Sequence, residues 1–292
     1  MQKIVPFIWS AGKAEQMIDL YSAAFGATVA SSQTYPDDMP AERADFAGQL
    51  MSVDLNVKGL MLGIINADDT YTPNPSISLM MNFDPAAGGD ARQELEAAHA
   101  ALMAAGATEL MPLGSYDFSD YYAWVQDPFG VSWQLMLTNP AGEPRPAALP
   151  AIMFTRGNQA MVFTEKLLEL FPGSEMGNRI LMPGTDDQVL FSDANIAGDW
   201  IMITDGGSGH EFTFSGGVSL LVRATDQQEI DGLWRALSAV PEKERCGWCI
   251  DEYGISWQVV PENLDELLAS PGARGAFMRM GKIDIAQLQA AR

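Results

Sequence analysis

The chain alternates between two hydrophobic periods, and each period predicts one kind of element. Between residues 14 and 25, apolar side chains that include Met17, Tyr21 and Phe25 recur at spacings of three to four. That spacing predicts an amphipathic helix. Short apolar runs bounded by Gly, Pro or Asn, such as residues 4–9, predict strands. We therefore expect a protein of mixed helices and strands.

The predicted elements occur in one order, which is then repeated. The first half has predicted strands at residues 4–9, 46–57, 60–65, 76–83, 121–125 and 131–138, and helices at 14–25 and 90–105. The second half has predicted strands at residues 151–154, 189–194, 199–204, 218–223, 247–250 and 255–260, and helices at 158–171 and 227–239. Both halves are interpreted as β-α-β-β-β modules.

A sequence repeat supports this duplication. DPFGVSWQLM at residues 127–136 returns as DEYGISWQVV at residues 251–260, a turn followed by a strand in each case. We divide the chain into a first domain at 1–138, a proline-rich linker at 139–148, a second domain at 149–261 and a helical tail at 262–292, with a helix break expected at Pro271. The two domains would form an internal pseudo-dimer, with a further homo-oligomer left open.

The repeated strand also predicts which face lines a hollow, because side chains alternate along a strand. One face carries Val131, Trp133 and Leu135, and the other carries Ser132, Gln134 and Met136. We expect the apolar face to pack on helices and the polar face to line a cupped sheet.

Composition narrows the range of partners. A net charge of -21 disfavours nucleic acid and anionic membranes, and an anionic small molecule would need a local basic pocket. No apolar run approaches the roughly 20 residues of a membrane span, and the start of the chain lacks a secretory pattern. We expect a cytoplasmic protein whose partner is a small molecule.

The two cysteines form a C-x-x-C pattern, Cys246-Gly-Trp-Cys249. Such a pair can be a redox couple or half of a zinc site. The segment leads directly into the turn at 251–254, so we interpret it as a short strand with reduced, structural thiols. Redox and metal roles are the alternatives.

The repeated modules resemble the vicinal-oxygen-chelate superfamily, which includes the glyoxalases, bleomycin-resistance proteins and dioxygenases. The sequence of residues 246–261 and the KIDI segment at 282–285 resemble its PhnB-like branch, often labelled 3-demethylubiquinone 3-methyltransferase-like. The resemblance implies an α+β fold of tandem glyoxalase-like domains, each built of paired β-α-β-β-β modules forming a cupped mixed sheet, followed by the helical tail.

In catalytic members, the resemblance implies a divalent metal held by side chains of the first and last strands, acting as a Lewis acid. The last-strand position, commonly Glu, is Gln134 in one half and Gln258 in the other. The predicted first strands contain no His, Asp or Glu. A Gln among apolar neighbours cannot offset the dehydration of a dication. We therefore expect no metal and no other cofactor.

Other candidate chemistry is sparse. His99 lies within a predicted helix, where a solvated or capping role is expected. His210 lies in a Gly-rich loop, where a surface role is expected and lining a pocket mouth is the alternative. No Gly-rich strand-to-helix turn followed by an acidic residue supports a methyltransferase. Catalytic residues stay unassigned, and whether the protein is an enzyme stays open.

Aromatic side chains on or beside the predicted sheets are the remaining pocket candidates. The candidate ligand-binding residues are Trp9, Tyr122, Gln134, Trp200, Trp248 and Gln258. The function hypothesis is metal-free binding of a small, partly apolar molecule in a cupped sheet, with the two glutamines as polar anchors. The alternatives are a metal-dependent lyase, isomerase or dioxygenase with non-standard ligands, and a chain in which one half is only a structural dimer partner.

Overall fold

A computed structural model describes residues 1–37 and 41–291. The strands are β1 (Ile4–Ala11), β2 (Thr28–Thr34), β3 (Leu50–Val57), β4 (Leu60–Ala67), β5 (Ile77–Phe83), β6 (Thr108–Tyr116), β7 (Ser119–Gln126), β8 (Ser132–Leu137), β9 (Ala148–Phe154), β10 (Glu175–Leu181), β11 (Val189–Ile196), β12 (Asp199–Asp205), β13 (Val218–Ala224), β14 (Trp248–Ile250) and β15 (Ser256–Pro261). The helices are α1 (Ala14–Phe25), α2 (Ala91–Ala104), α3 (Ala160–Leu170), α4 (Gln227–Leu237), α5 (Leu264–Leu267), α6 (Pro271–Phe277) and α7 (Ile285–Ala290). The predicted α+β class is confirmed.

Two mixed sheets hold these strands, and each sheet takes one module from each half of the sequence. The first sheet has the order β14-β15-β13-β1-β4-β3-β2, and the second has the order β10-β11-β12-β9-β5-β8-β7-β6. The modules join through antiparallel pairs, β1 with β13 and β5 with β9. The division near residues 138 and 149 stays a prediction about the sequence, since in space each half contributes to both sheets.

Three strands in this arrangement are absent from the sequence prediction. They are β2, β6 and β10, and each pairs with a single neighbour at or near a sheet edge. All seven residues of β2 are exposed, so no alternation of apolar and polar residues marks it. The extra length of the first half builds β6, which gives the second sheet its eighth strand.

The helices cover one face of each sheet and bury the aromatic residue of the repeated motif. Trp133 and Trp257 are fully buried, and Trp133 packs against Tyr21 and Phe25 of α1 at ring-centroid distances of 4.8 and 4.4 Å. The apolar face predicted for β8 is thus confirmed as core. No helix in the described part of the chain is long and apolar enough to cross a membrane.

A buried aspartate anchors the turn of the repeated motif. Asp127 accepts hydrogen bonds from the indole Nε1 of Trp133 at 3.0 Å, the hydroxyl of Tyr21 at 2.8 Å, and the backbone N–H groups of Phe129 and Val131. Burial is the largest influence and raises the pKa of this carboxyl to about 6, although the four donors oppose it. The aspartate therefore ties the turn to the tryptophan in the core.

Asp251 repeats this arrangement with one partner fewer among the described residues. Its carboxyl accepts from Trp257 Nε1 at 2.8 Å and from two backbone N–H groups of the same turn. The counterpart of Tyr21, counted from Phe25 and Phe171 at the ends of the two helices, is Leu167, which has no hydroxyl. The motif is a structural element in both halves.

The tail does not project from the molecule but packs against the first sheet. Leu267, Ile283 and Leu288 are fully buried and form one apolar cluster with Val260 of β15. The helical tail is interrupted close to the expected position, between Leu267, where α5 ends, and Pro271. Proline is well tolerated at the first turn of a helix, where its missing N–H has no partner to lose, and α6 begins at Pro271 behind the capping hydroxyl of Ser270.

Candidate functional site

Each sheet has one face turned away from its helices, and these two faces are the candidate sites. The first cup is the face of the first sheet that carries Gln258, and the second cup is the face of the second sheet that carries Gln134. The strand register shows which side chains share a face, because residues paired across neighbouring strands point to the same side of the sheet. Trp248 is paired with Gln258, and Met80 is paired with Gln134. The polar face predicted for β8 is therefore the cup face.

The structure divides the six candidate residues between the two cups. Trp9, Trp248 and Gln258 lie in the first cup, whereas Tyr122, Gln134 and Trp200 lie in the second. Because each sheet mixes modules from both halves, Trp9 from the first half meets Trp248 from the second, with ring centroids 6.0 Å apart. The sequence predicted these residues as candidates but did not predict this grouping.

The first cup is largely filled by the chain itself. The ring of Phe7 lies over Gly63, so that a Cβ atom at Gly63 would be 2.1 Å from the ring. At the other end of the cup, Leu221 and Val260 pack under the tail. The side chain of Gln258 donates to Ser219 Oγ at 2.9 Å.

The second cup has an apolar, sulfur-rich and aromatic lining. Its buried members are Met80, Tyr122, Trp124, Leu149, Ala151 and Met202, and its half-buried members are Met111, Tyr116, Met136, Met153, Phe191, Trp200 and Phe212. At the position corresponding to Phe7 in the first cup, this cup has Ala151, opposite Met202 in the register. Flexible thioethers and a small residue at the centre suit an adaptable pocket.

A short hydrogen-bonded chain runs through the middle of this lining. The hydroxyl of Tyr122 donates to Gln134 Oε1 at 2.8 Å, and Gln134 Nε2 donates to Ser78 Oγ at 2.7 Å. Burial raises the pKa of the Tyr122 hydroxyl well above its usual range, so it stays protonated and remains a donor. Gln134 thus holds Tyr122 in place and retains one amide N–H for a further partner.

Two polar atoms on the face of the second cup, Thr204 Oγ1 and Asn82 Oδ1, have no hydrogen-bond partner among the described residues. Thr204 belongs to β12 on the same face as Met202, and its Oγ1 is buried without a hydrogen bond. A buried hydroxyl of this kind costs about 1–3 kcal/mol unless something satisfies it. Nothing in the sequence pattern singled out Thr204, because a threonine is ordinary in a strand.

Trp200 is less available to a ligand than its aromatic side chain suggested. The guanidinium of Arg145 lies 4.0 Å from the centre of its ring. Arg145 also pairs with the buried carboxylate of Asp193, with Nε 2.7 Å from Oδ2. This arginine comes from the predicted linker, which therefore closes one end of the cup instead of simply spanning the two halves.

A loop from the second half covers the other end of the cup. The imidazole of His210 lies 6.1 Å from Trp124 and 5.0 Å from Phe212, measured between ring centroids. Thr155 holds the loop by donating its hydroxyl to the carbonyl of Phe212 at 2.7 Å. His210 is thus at a pocket mouth, as the alternative interpretation allowed.

Neither cup presents the donor set of a divalent metal site. The cup-facing positions around Gln134 are Ser78, Met80 and Met136, and those around Gln258 are Ser219, Leu221 and Trp248. Across the described residues, no group of three or more His, Cys, Asp or Glu is placed to hold a metal ion. Neutral amide, hydroxyl and thioether groups give no compensation for the charge of a dication, so the residues do not fit the metal that the resemblance implies.

The remaining candidates lie away from both cups. His99 Nε2 is 3.0 Å from Glu109 Oε1, which ties α2 to β6. No disulfide joins Cys246 and Cys249. Burial, with the nearby Asp251 and Glu244 carboxylates, raises the pKa of the Cys249 thiol to about 12, so this thiol is not a nucleophile at neutral pH.

The family model described as 3-demethylubiquinone-9 3-methyltransferase matches residues 2–136 and 147–260. The chain belongs to this family. It is thus a PhnB-like member of the vicinal-oxygen-chelate superfamily with two tandem copies of the family unit, as its sequence resemblance predicted.

A solved structure of TM-score above 0.5 shares the fold of this chain. Glyoxalase I from Zea mays is 14% identical, with a TM-score of 0.57 over 91% of this chain and 94% of that chain. A PhnB protein from Bacillus cereus is 29% identical over 47% of this chain and 100% of its own, with a TM-score of 0.40. No curated protein matches the sequence.

Proposed function

We propose that this PhnB-like protein binds a small, partly apolar molecule in the second cup without using a metal. The single observation that carries the proposal is the lining of that cup. It places the Tyr122–Gln134–Ser78 chain and the unpartnered hydroxyl of Thr204 among thioether and aromatic side chains. An apolar cleft with a few fixed polar groups is the usual form of a small-molecule site.

The first cup supports a different role. Phe7, the Trp9–Trp248 pair and the tail occupy much of its space. We propose that this cup is mainly structural. Since it is built from modules of both halves, this differs from the hypothesis that one half of the sequence is only a structural partner. The proposal moves Trp9, Trp248 and Gln258 out of the ligand site and keeps Tyr122 and Gln134 in it, with Trp200 at its edge under Arg145.

Ala151→Phe tests the second cup directly, because it places a ring where the first cup has Phe7. The neutral fluorescent probe phenylnaphthylamine should bind the unmodified protein, and the variant should lower its affinity about tenfold or more. In a hollow cup the added ring should cost less than about 1 kcal/mol of stability, whereas a filled cup would lose about 1–3 kcal/mol. Fluorescence titration and urea unfolding measure the two effects.

Ala104→Phe is the matched control, since Ala104 is exposed at the end of α2 and gains the same ring there. It should leave probe affinity unchanged. Equal affinity for the Ala151 variant and the unmodified protein would place the probe elsewhere and defeat the proposal.

Metal content tests the other part of the proposal. Protein purified without chelators should contain zinc, nickel, iron and manganese at well below one atom per chain by elemental mass spectrometry. The physical reason is the neutral donor set around Gln134 and Gln258, which cannot replace the hydration of a dication. Tightly held stoichiometric metal would instead favour the metal-dependent lyase, isomerase or dioxygenase.

A further inference from the structure

A cavity separate from the second cup adjoins the end of that cup that the His210 loop covers. It has a volume of about 510 Å³, and its lining includes Arg156, Asn158, Gln188 and His210. Asn158 and Arg156 belong to the turn between β9 and α3, whereas His210 belongs to the loop after β12. The cavity therefore forms where two loops meet above the sheet.

His210 connects this cavity to the cup. It lines the cavity, and its ring also packs near Trp124 in the cup wall. A Cβ atom built at Gly206 would lie 2.5 Å from Met153 Sδ and 3.1 Å from His210 Cδ2, so these three residues adjoin. Met153 faces the cup and is opposite Thr204 in the register. His210 and Met153 thus lie between the cavity and the cup.

The charge of the cavity is opposite to that of the protein. The whole chain carries a net charge of -21, yet the described lining residues include Arg156 and no Asp or Glu. Arg156 is exposed and makes no hydrogen bond or ion pair with any described residue. It is therefore a local cation that is available to a ligand.

Two carboxylates of neighbouring segments are held by hydrogen bonds. Asp205 accepts from the backbone N–H groups of Gln159, Ala160 and Val189. Asp187 accepts from the side chain of Asn158 at 3.0 Å. Neither carboxylate is among the described lining residues of the cavity, whereas Arg156 is.

We propose that the ligand of the second cup is an amphipathic anion, with its apolar body in the cup and its carboxylate, phosphate or sulfonate head at Arg156. This inference rests on the proposed function and specifies its ligand class. The head would accept hydrogen bonds from the guanidinium, which presents several N–H donors to an oxyanion. His210 lies between the head and the body and separates the two environments.

Two probes that share one aromatic body can test the inference. Anilinonaphthalene sulfonate carries an anionic head, and phenylnaphthylamine has the same rings without it. Arg156→Glu should weaken binding of the sulfonate about fivefold or more, because it replaces an attraction with a repulsion at a partly solvated site. It should change binding of the neutral probe by less than about twofold.

Two further variants complete the design. Arg156→Lys keeps the charge and should retain sulfonate affinity within about twofold. Lys13→Glu makes the same change of charge at the exposed turn before α1, the corresponding turn of the first module, and should affect neither probe. The difference between the probes should also shrink as salt concentration rises.

The outcomes separate the two proposals. Unchanged sulfonate binding in the Arg156→Glu variant, or equal weakening of both probes, would overturn the anion inference while leaving the apolar site intact. Failure of the unmodified protein to bind the neutral probe would instead overturn the proposed function on which the inference rests.

Discussion

Asp127→Asn should lower the free energy of unfolding by about 1–3 kcal/mol, because an amide cannot accept every bond that the carboxylate accepts. The amide oxygen can keep the backbone donors of Phe129 and Val131. The amide nitrogen would then face the indole N–H of Trp133, which places a donor against a donor. Urea unfolding at neutral pH measures the loss, and Asp120→Asn, an exposed change of the same kind, should cost less than about 0.5 kcal/mol.

The same variant carries a prediction for pH. The folded pKa of Asp127, about 6, lies above the ordinary value of 3.8. The folded state therefore binds a proton more tightly than the unfolded state does. The stability from this group is fully present below pH 3.8 and is lost as the pH rises through 6. The stability difference between the unmodified protein and Asp127→Asn should shrink over that interval, and a difference that grows with pH would contradict the assignment.

Ile283→Asp should release the tail and lower stability by about 3 kcal/mol or more. Ile283 is fully buried against the first sheet, and an unpaired carboxylate there would lose its hydration without gaining a partner. Gln227 holds the backbone on both sides of this position, donating to the carbonyl of Ile283 at 3.1 Å and accepting from the N–H of Ile285 at 2.9 Å. The tail should therefore detach as a unit.

Detachment would uncover Leu221 and Val260, so we expect faster proteolysis after residue 261 and additional binding of phenylnaphthylamine. Ala286→Asp supplies the control, because Ala286 is exposed near the start of α7, where an added carboxylate is tolerated. If the Ile283 variant resists protease as well as the unmodified protein does, the tail contributes little to closing the first cup.

Local periodicity predicted the parts of the fold that have one buried and one solvated face. The bounds of α1 agree at both ends with the predicted range, since Met17, Tyr21 and Phe25 follow one buried face. The edge strand β2 was missed because both of its faces are exposed and it carries no such signal. The pairing of β1 with β13 was also beyond the sequence, because no local pattern specifies which distant strand lies alongside.

The candidate site, like the fold, was predictable from the sequence only in part. Alternation placed Gln134 on the cup face, and composition indicated that an anionic ligand would need a local basic pocket. Arg156, Arg145 and Thr204 were missed, since each matters through its neighbours in space: a cavity, a tryptophan ring and an absent partner, respectively. Residue type alone gives no sign of such surroundings.

The shared sheets have a consequence for how this molecule can change. In an assembly of two identical chains, every substitution would occur in both cups at once. Here the two copies of the module pair are joined in one chain. Position 7 in the first cup is Phe and the matching position 151 in the second cup is Ala, so a substitution at either position alters a single cup. One cup can lose its hollow and serve as scaffold while the other adapts to a ligand. Because both cups belong to one chain, their residues can differ from each other.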